Sequence, residues 1–293
     1  MIVDLHTHIF PPDIAEHRDR YVERDACFAE LYSNPKSKLA TAEDLIASMD
    51  QSGIDMSAAL NIGWSSHELC MQTNDYILAA ARRYPDRLVP FCSIQPRAPG
   101  ALAELDRCAA GGARGLGEMR PDVQGFDLVD PGTMDGLVDA AVEHDFVFLT
   151  HASEPVGHHY PGKGTVTPDL LYTFIARYPQ LKVICAHWGG GLPFYALMPE
   201  VHEALANTYF DTAATHLLYK PSVFQTVVHL VGADRVLFGS DFPLVSQSRA
   251  ADYVRACDPG PETEAAILGG NAQCLLGYDR QVKHGAGDTR SGV

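Results

Sequence analysis

The chain has 293 residues, 46% of them hydrophobic, and a formal net charge of −15. That length and apolar content suffice for one α/β domain with a sizeable core. The acidic balance argues against a nucleic-acid partner, whose phosphates call for basic patches, and no run reaches the ~18 apolar residues of a membrane span.

The first apolar run ends in Asp4-Leu5-His6-Thr7-His8. It is followed by residues 9–40, polar, charged and weakly periodic, expected to be a lid or insertion. Thr41 caps a helix opening at Ala42-Glu43-Asp44. A second helix runs from Asn74 to Tyr84 and is closed by Pro85. Pro90 sits awkwardly in a strand, because it has no N–H for the ladder. Residues 120–132 hold Gly and Pro and read as a loop, and a third helix spans Met134 to His144. Residues 152–166, Ala-Ser-Glu-Pro-Val-Gly-His-His-Tyr-Pro-Gly-Lys-Gly-Thr-Val, form a second loop. Pro168, at the first helical position behind Thr167, starts a fourth helix that ends before Pro179. Pro221 to Val231 is amphipathic as well. Beyond about Asp279 the chain turns polar and Gly-rich, which reads as a frayed tail.

Between these helices, eight short apolar runs centre on Val3, Ala59, Pro90, Gly115, Phe148, Ile184, Phe210 and Leu237. Runs so short and continuous are buried parallel strands. Alternation with helices over eight repeats predicts a closed (β/α)₈ TIM barrel. It is expected as a single domain over residues 1–278, with a polar tail at 279–293. The seven Cys form no Cys-x-x-Cys pair. Cys92, Cys108, Cys185 and Cys274 lie in apolar runs and read as reduced, buried thiols. The opening Met1 to His6 has no basic segment and no long apolar stretch, so a cytoplasmic protein without a signal peptide is expected.

The strand runs end, one after another, in groups a metal accepts: His6 and His8, Glu118, His151, His187 and Asp241. The C-terminal ends of the strands are where such a barrel builds its active site. Residues two apart on a strand share a side, so His6 and His8 can face one ion. Alone, a His-x-His pair is a weak signal, and His151 or His187 alone could be a satisfied core histidine. Recurrence at strand after strand is what carries the reading. Asp241, behind a fully apolar strand, would be costly to bury without a cation. Asp4 is a carboxylate able to orient a ligand from behind.

The pattern resembles the amidohydrolase superfamily, and more closely the branch that holds aminocarboxymuconate-semialdehyde decarboxylase and many metal-dependent hydrolases. The matching segments are Asp4-Leu5-His6-Thr7-His8, Gly117-Glu118, His151, Ala186-His187-Trp188-Gly189-Gly190-Gly191, Phe238-Gly239-Ser240-Asp241-Phe242-Pro243 and Gly270-Asn271-Ala272. The resemblance implies a divalent ion on His6, His8, His151 and Asp241. Zn²⁺ suits three or four N/O ligands with one open position; Mn²⁺, Fe²⁺ and Co²⁺ are compatible. Glu118 departs from the decarboxylases of the branch. With His151 and His187 it would make a second ion site; otherwise it pairs with Arg120 or Arg114.

The first functional expectation is a hydrolase. A metal-activated water attacks an amide, ester or lactone of a small carboxylate-bearing substrate. Asp241 shuttles the proton and His187, if not a ligand, steadies the oxyanion. The alternative is a decarboxylase or hydratase of an unsaturated or aromatic carboxylate, and a third class is a non-catalytic metal-binding barrel. Metal stoichiometry separates the first two: two ions favour hydrolysis, one favours the lyase. His158, His159, Tyr160 and Lys163 in the loop, with Arg120 and Trp188, are the expected substrate contacts, and Lys163 is the preferred anion partner. The partner is a small anionic molecule; homo-oligomerisation is left open.

Overall fold

The computed structural model describes residues 1–278, so the expected tail at 279–293 lies outside the described residues. Eight parallel strands follow one another round a barrel: β1 (Val3–His8), β2 (Met56–Leu60), β3 (Leu88–Cys92), β4 (Gly115–Met119), β5 (Val147–Thr150), β6 (Lys182–Cys185), β7 (Thr208–Asp211) and β8 (Val236–Leu237). All eight expected strands are present. The ring closes by backbone bonds from Leu5 to Phe238, from Asp241 to His6 and from His8 to Phe242, at 2.9, 2.9 and 2.7 Å. Pro90 lies inside β3, where its carbonyl accepts from Arg114 N at 2.9 Å.

Two apolar layers define inside and outside. Val3, Leu5, Ala58, Val89, Leu149 and Ile184 pack together with Leu275 and Leu276 of the last helix, Asn271–Leu276. That layer fills the barrel, and the helix plugs its lower end. The intervening strand residues, such as Ala59, Leu116, Phe148, Val183 and Phe210, face the outer helices.

Helix Ala42–Ser52 opens on a capping box between Thr41 and Asp44, as expected. The second helix starts earlier than expected, at His67, because Ser66 accepts from Leu69 N. Helices Ala101–Ala110 and Gln247–Ala256 were not anticipated. The first follows Gly100, with no side-chain cap to announce it. The 120–132 loop contains a short helix, Pro121–Gln124.

Residues 9–40, expected as a lid or insertion on their polar, weakly periodic composition, are helical. They form helices Pro12–Glu16, Arg18–Val22 and Ala26–Tyr32 around their own aromatic cluster. Phe28 stacks on Trp64 with ring centroids 5.4 Å apart, and Phe10 meets Tyr32 edge-on at 5.2 Å. Asp25 caps the third helix through Phe28 N and also accepts from Ser65 N and Oγ, pinning the insertion to the barrel. All seven cysteines are free; Cys274, expected buried, is exposed on the last helix. Among the described residues no helix is long and apolar enough to cross a membrane.

Candidate metal centre

Simple alternation along the strands would not aim the donors inward. Leu5 belongs to the inner layer, so His6 should face out. The β1–β2 register advances three residues on β1, Asp4 to Thr7, for two on β2, Ser57 to Ala59. This bulge turns His6 and His8 into the barrel. A second one sits in β4, where Leu116 to Met119 opposes Phe148 to Thr150, and it re-aims Glu118. Leu116 and Met119 on either side both pack outward. His151 arrives by ordinary alternation from the inward Leu149. His187 follows the inward Ala186 and is re-aimed instead by a left-handed backbone, φ 54°. Asp241 adopts φ 65° after β8. Left-handed non-glycine residues cost about 1–3 kcal/mol each and persist where the surroundings over-determine them.

The result is a buried cluster. His6 Nε2 and His8 Nε2 lie 3.1 Å apart. Asp241 Oδ1 is 3.3 Å from His8 Nε2 and 3.8 Å from His6 Nε2. Glu118 sits between the imidazoles: Oε1 accepts from His151 Nδ1 at 2.8 Å and lies 3.6 Å from His187 Nε2. Its Oε2 lies 3.7 Å from His8 and 3.8 Å from His6. The alternative of an ion pair with Arg120 or Arg114 is therefore wrong. Arg114 donates to Leu276 O, and Arg120 faces Glu30. Two overlapping trios are spaced for a metal ion, His6–His8–Asp241 and His6–Glu118–His187, with ligand atoms within 4.8 Å of one another. His151 belongs to neither; it reaches the cluster through Glu118.

The electrostatics fit a cation. Burial raises the Glu118 carboxyl, but His151, His187 and His6 outweigh burial and hold it well below the usual range. Burial acts on Asp241 in the same sense and is outweighed by His8, His6 and His187, leaving it at about 2. His6 is pushed down by burial yet ends well above its ordinary value, through Asp211 and Glu118. His187, likewise opposed by burial, rises to about 9 beside Glu118 and Asp241. His151 goes down, by burial and the nearby Arg120. Carboxylates crowded in one pit draw positive charge, and the raised His6 and His187 are the response to it.

Asp211 escaped the sequence reading. It ends β7, fully buried; His6 Nδ1 donates to its Oδ2 at 2.8 Å, and the backbone N–H groups of His187 and Ala213 donate to Oδ1. With Nδ1–H committed, His6 presents a bare Nε2 to the cluster. The rule that selected Asp241, an acid closing an apolar strand, would have selected Asp211 too. Asp4, expected to orient a ligand, touches no imidazole ring among the described residues but accepts from His6 N at 3.2 Å. It accepts from Ser240 N and Oγ and from Gln247 Nε2, so it fixes the segment that carries Asp241. Burial raises its carboxyl to about 6, with those bonds pulling the other way.

Above the cluster opens a cavity of about 450 Å³. His8, Glu118, His151, His187 and Asp241 form its floor, and Leu31, Tyr32, Ile62, Leu218 and Leu244 supply apolar wall. Tyr32, Leu31 and Lys38 come from the 9–40 insertion and were not anticipated as lining residues. Of the expected substrate contacts, Arg120, His158 and Tyr160 line the cavity, whereas His159, Lys163 and Trp188 do not. Lys163 Nζ donates to the carbonyls of Val156 and His158, bracing its own loop. Trp188 is buried against Phe224 and donates to Thr215 Oγ1, so it is packing.

The family model described as Amidohydrolase matches residues 3–278. The chain belongs to the amidohydrolase family. This amidohydrolase is 24% identical to the gamma-resorcylate decarboxylase of Polaromonas sp., over 84% of this chain and 90% of the relative. It is 23% identical to the 2-amino-3-carboxymuconate-6-semialdehyde decarboxylase of Dictyostelium discoideum, over 94% of this chain and 92% of the relative. The crystal structure of 5-carboxyvanillate decarboxylase from Novosphingobium aromaticivorans, complexed with manganese and 4-hydroxy-3-methoxy-5-nitrobenzoic acid, superposes with a TM-score of 0.78 at 20% identity. The match covers 94% of this chain and 96% of that one. These relatives overturn hydrolysis as the first reading: they are decarboxylases, not hydrolases. The same donor set serves either reaction, which is why ligand motifs pointed to the wrong one.

Proposed function

We propose that this amidohydrolase is a metal-dependent, non-oxidative decarboxylase of a small aromatic carboxylate. The observation that supports it most is the imidazole and carboxylate cluster at the floor of an apolar-walled cavity, in a chain whose long-matching relatives are decarboxylases. His6, His8 and Asp241 would hold a divalent ion, with Glu118 and His187 facing it from the second trio. His8 Nδ1, buried without a partner among the described residues, leaves that ring free to adjust to an ion at Nε2. The N/O donor set suits Zn²⁺ or the Mn²⁺ of the solved relative. A bound ion supplies fixed positive charge for a carboxylate and a neighbouring hydroxyl oxygen.

The chain's own residues do the rest. Apolar walls exclude water from the ring and strengthen every charge contact below it. His187 lines the cavity and can donate to a carboxylate oxygen. The reaction breaks the bond between ring carbon and carboxyl carbon, releases CO₂ and consumes one proton at the vacated carbon. Asp241 lines the cavity beside His8 and is placed to carry that proton. The test is to load the protein with Mn²⁺ or Zn²⁺ and supply hydroxybenzoates in D₂O. The expected result is CO₂ release with one deuterium on the ring carbon that lost it. Absence of CO₂ across the panel, with the metal bound, would sink the reading.

The Asp211 contact makes a separate prediction. Asp211→Asn removes the charge that fixes the His6 ring, and losing such a partner typically lowers metal affinity about 10–100-fold. Competition with a chelator measures it. Unchanged affinity would mean that His6 needs no support from behind.

A further inference from the structure

The cavity above the donor cluster has two unlike walls. On one side stands Arg120, directly behind β4 and already ion-paired: Glu30 Oε1 lies 3.4 Å from its Nη2, and Asp122 Oδ1 lies 3.6 Å from its Nε. In the closed order of eight strands, β7 and β8 stand across the ring from β3 and β4. The segments behind β7 and β8 contribute Ala214, Leu217, Leu218, Pro243 and Leu244 to the cavity. None of these five side chains can hydrogen-bond or carry charge.

The apolar wall is held in place by its backbone. Leu244 N donates to Asp241 O at 2.9 Å, so a tight turn ties Leu244 to the floor residue. Leu217 and Leu218 belong to the short helix Thr215–Leu218, where Leu217 N donates to Ala214 O at 2.9 Å and Tyr219 N to Thr215 O at 2.8 Å. Thr215, buried, donates through Oγ1 to Thr212 O and accepts from Trp188 Nε1. Yet the wall is uncovered: Leu217 is 51% exposed and Leu244 63%. A single exposed leucine is ordinary. Two that line one cavity, beside Leu218 and the buried Pro243, make a concave apolar surface, and such surfaces mark ligand grooves. The volume bounds the ligand. A cavity of ~150 Å³ takes a benzene ring, and this one is about 450 Å³. A simple hydroxybenzoate with its carboxylate on the floor would leave the leucines in water.

We propose that Leu217, Leu218, Pro243 and Leu244 form a subsite for a hydrocarbon substituent, so that the substrate is an aromatic acid carrying an alkyl chain or a second apolar ring para to its carboxylate. With the carboxylate on the floor, the para carbon points toward the mouth that Leu217 and Leu244 rim. This rests on the decarboxylase reading for the aromatic acid, but its test is made on binding alone.

Salicylate and its 4-methyl, 4-propyl and 4-pentyl derivatives are titrated calorimetrically into the Mn²⁺-loaded protein. A methylene taken fully out of water strengthens binding about fourfold, so at this half-open wall the pentyl acid should bind about 10–100-fold more tightly than the methyl acid. The heat-capacity change of binding should grow more negative with each added carbon. Leu217→Ser combined with Leu244→Ser should cut the pentyl-to-methyl ratio to about threefold or less. Both positions are exposed, so neither change empties the core, and each single variant should give an intermediate ratio. A flat series in the wild type, or an unchanged ratio in the double variant, overturns the subsite. A flat series together with self-association that the two serines abolish also overturns it, because the leucines then cover a second copy of the chain. CO₂ release from salicylate with a flat alkyl series strikes this inference alone. A steep series with no CO₂ release from any acid supports the subsite and strikes the proposed reaction.

Discussion

Asp241→Asn is expected to lower turnover by about 10²–10⁴-fold, the usual share of a positioned proton donor. The side chain is 13% exposed, and its Oδ1 lies 3.3 Å from His8 Nε2. It is the one acid of its trio, and the two imidazoles beside it, His6 and His8, have no proton to spare if they ligate an ion. An amide keeps the shape and the ligating oxygen but cannot deliver a proton to carbon. Metal content should therefore fall less than activity. Single-turnover CO₂ release, read beside metal content, separates the two effects. Activity within threefold of wild type at full metal loading would remove Asp241 from the proton path. The backbone does not confuse the comparison, because Asn tolerates the left-handed conformation found here, φ 65°.

Why was so much of the barrel readable? Each strand is a short apolar run, and burial on both faces of a parallel sheet demands such runs. The donors were readable by identity and order. How they point inward was not. His6 and Glu118 depend on bulges, and His187 and Asp241 follow backbone that turns left-handed. None of these irregularities has a one-residue signature. Glycine at 117, φ 144°, is the nearest to one. The helices and aromatic cluster of the insertion went unread for a different reason. Its apolar residues are too sparse for a regular period, yet Phe10, Tyr21 and Phe28 converge on Trp64, beyond β2, and Tyr32 packs on Phe10 and Phe28. Lys163 failed because charge was weighed without geometry: the carbonyls of its own tight loop were nearer than any ligand.

His6→Ala and His8→Ala should each abolish high-affinity metal binding, but with different consequences for the fold. His8 Nδ1 has no hydrogen-bond partner among the described residues, so truncating His8 strands no buried group on that side of the ring. His6 Nδ1 satisfies Asp211 Oδ2, and its loss leaves that fully buried oxygen without its imidazole. A buried polar group stripped of its partner costs about 1–3 kcal/mol, and more when charged. For a domain of this size each kcal/mol lowers Tm by about 2–4 °C. The metal-free melting order is thus wild type, then His8→Ala, which costs Asp241 its nearest imidazole at 3.3 Å, then His6→Ala, which strips Asp211 as well. Added metal then separates them again. Ligand at a hundred times its Kd stabilises a folded protein by about 2.7 kcal/mol, so wild type should gain Tm while neither variant does. Scanning calorimetry with and without Mn²⁺ or Zn²⁺ gives all six values. A His8→Ala protein that still gains the wild-type increment would show that the His6–His8–Asp241 trio is not where the ion binds.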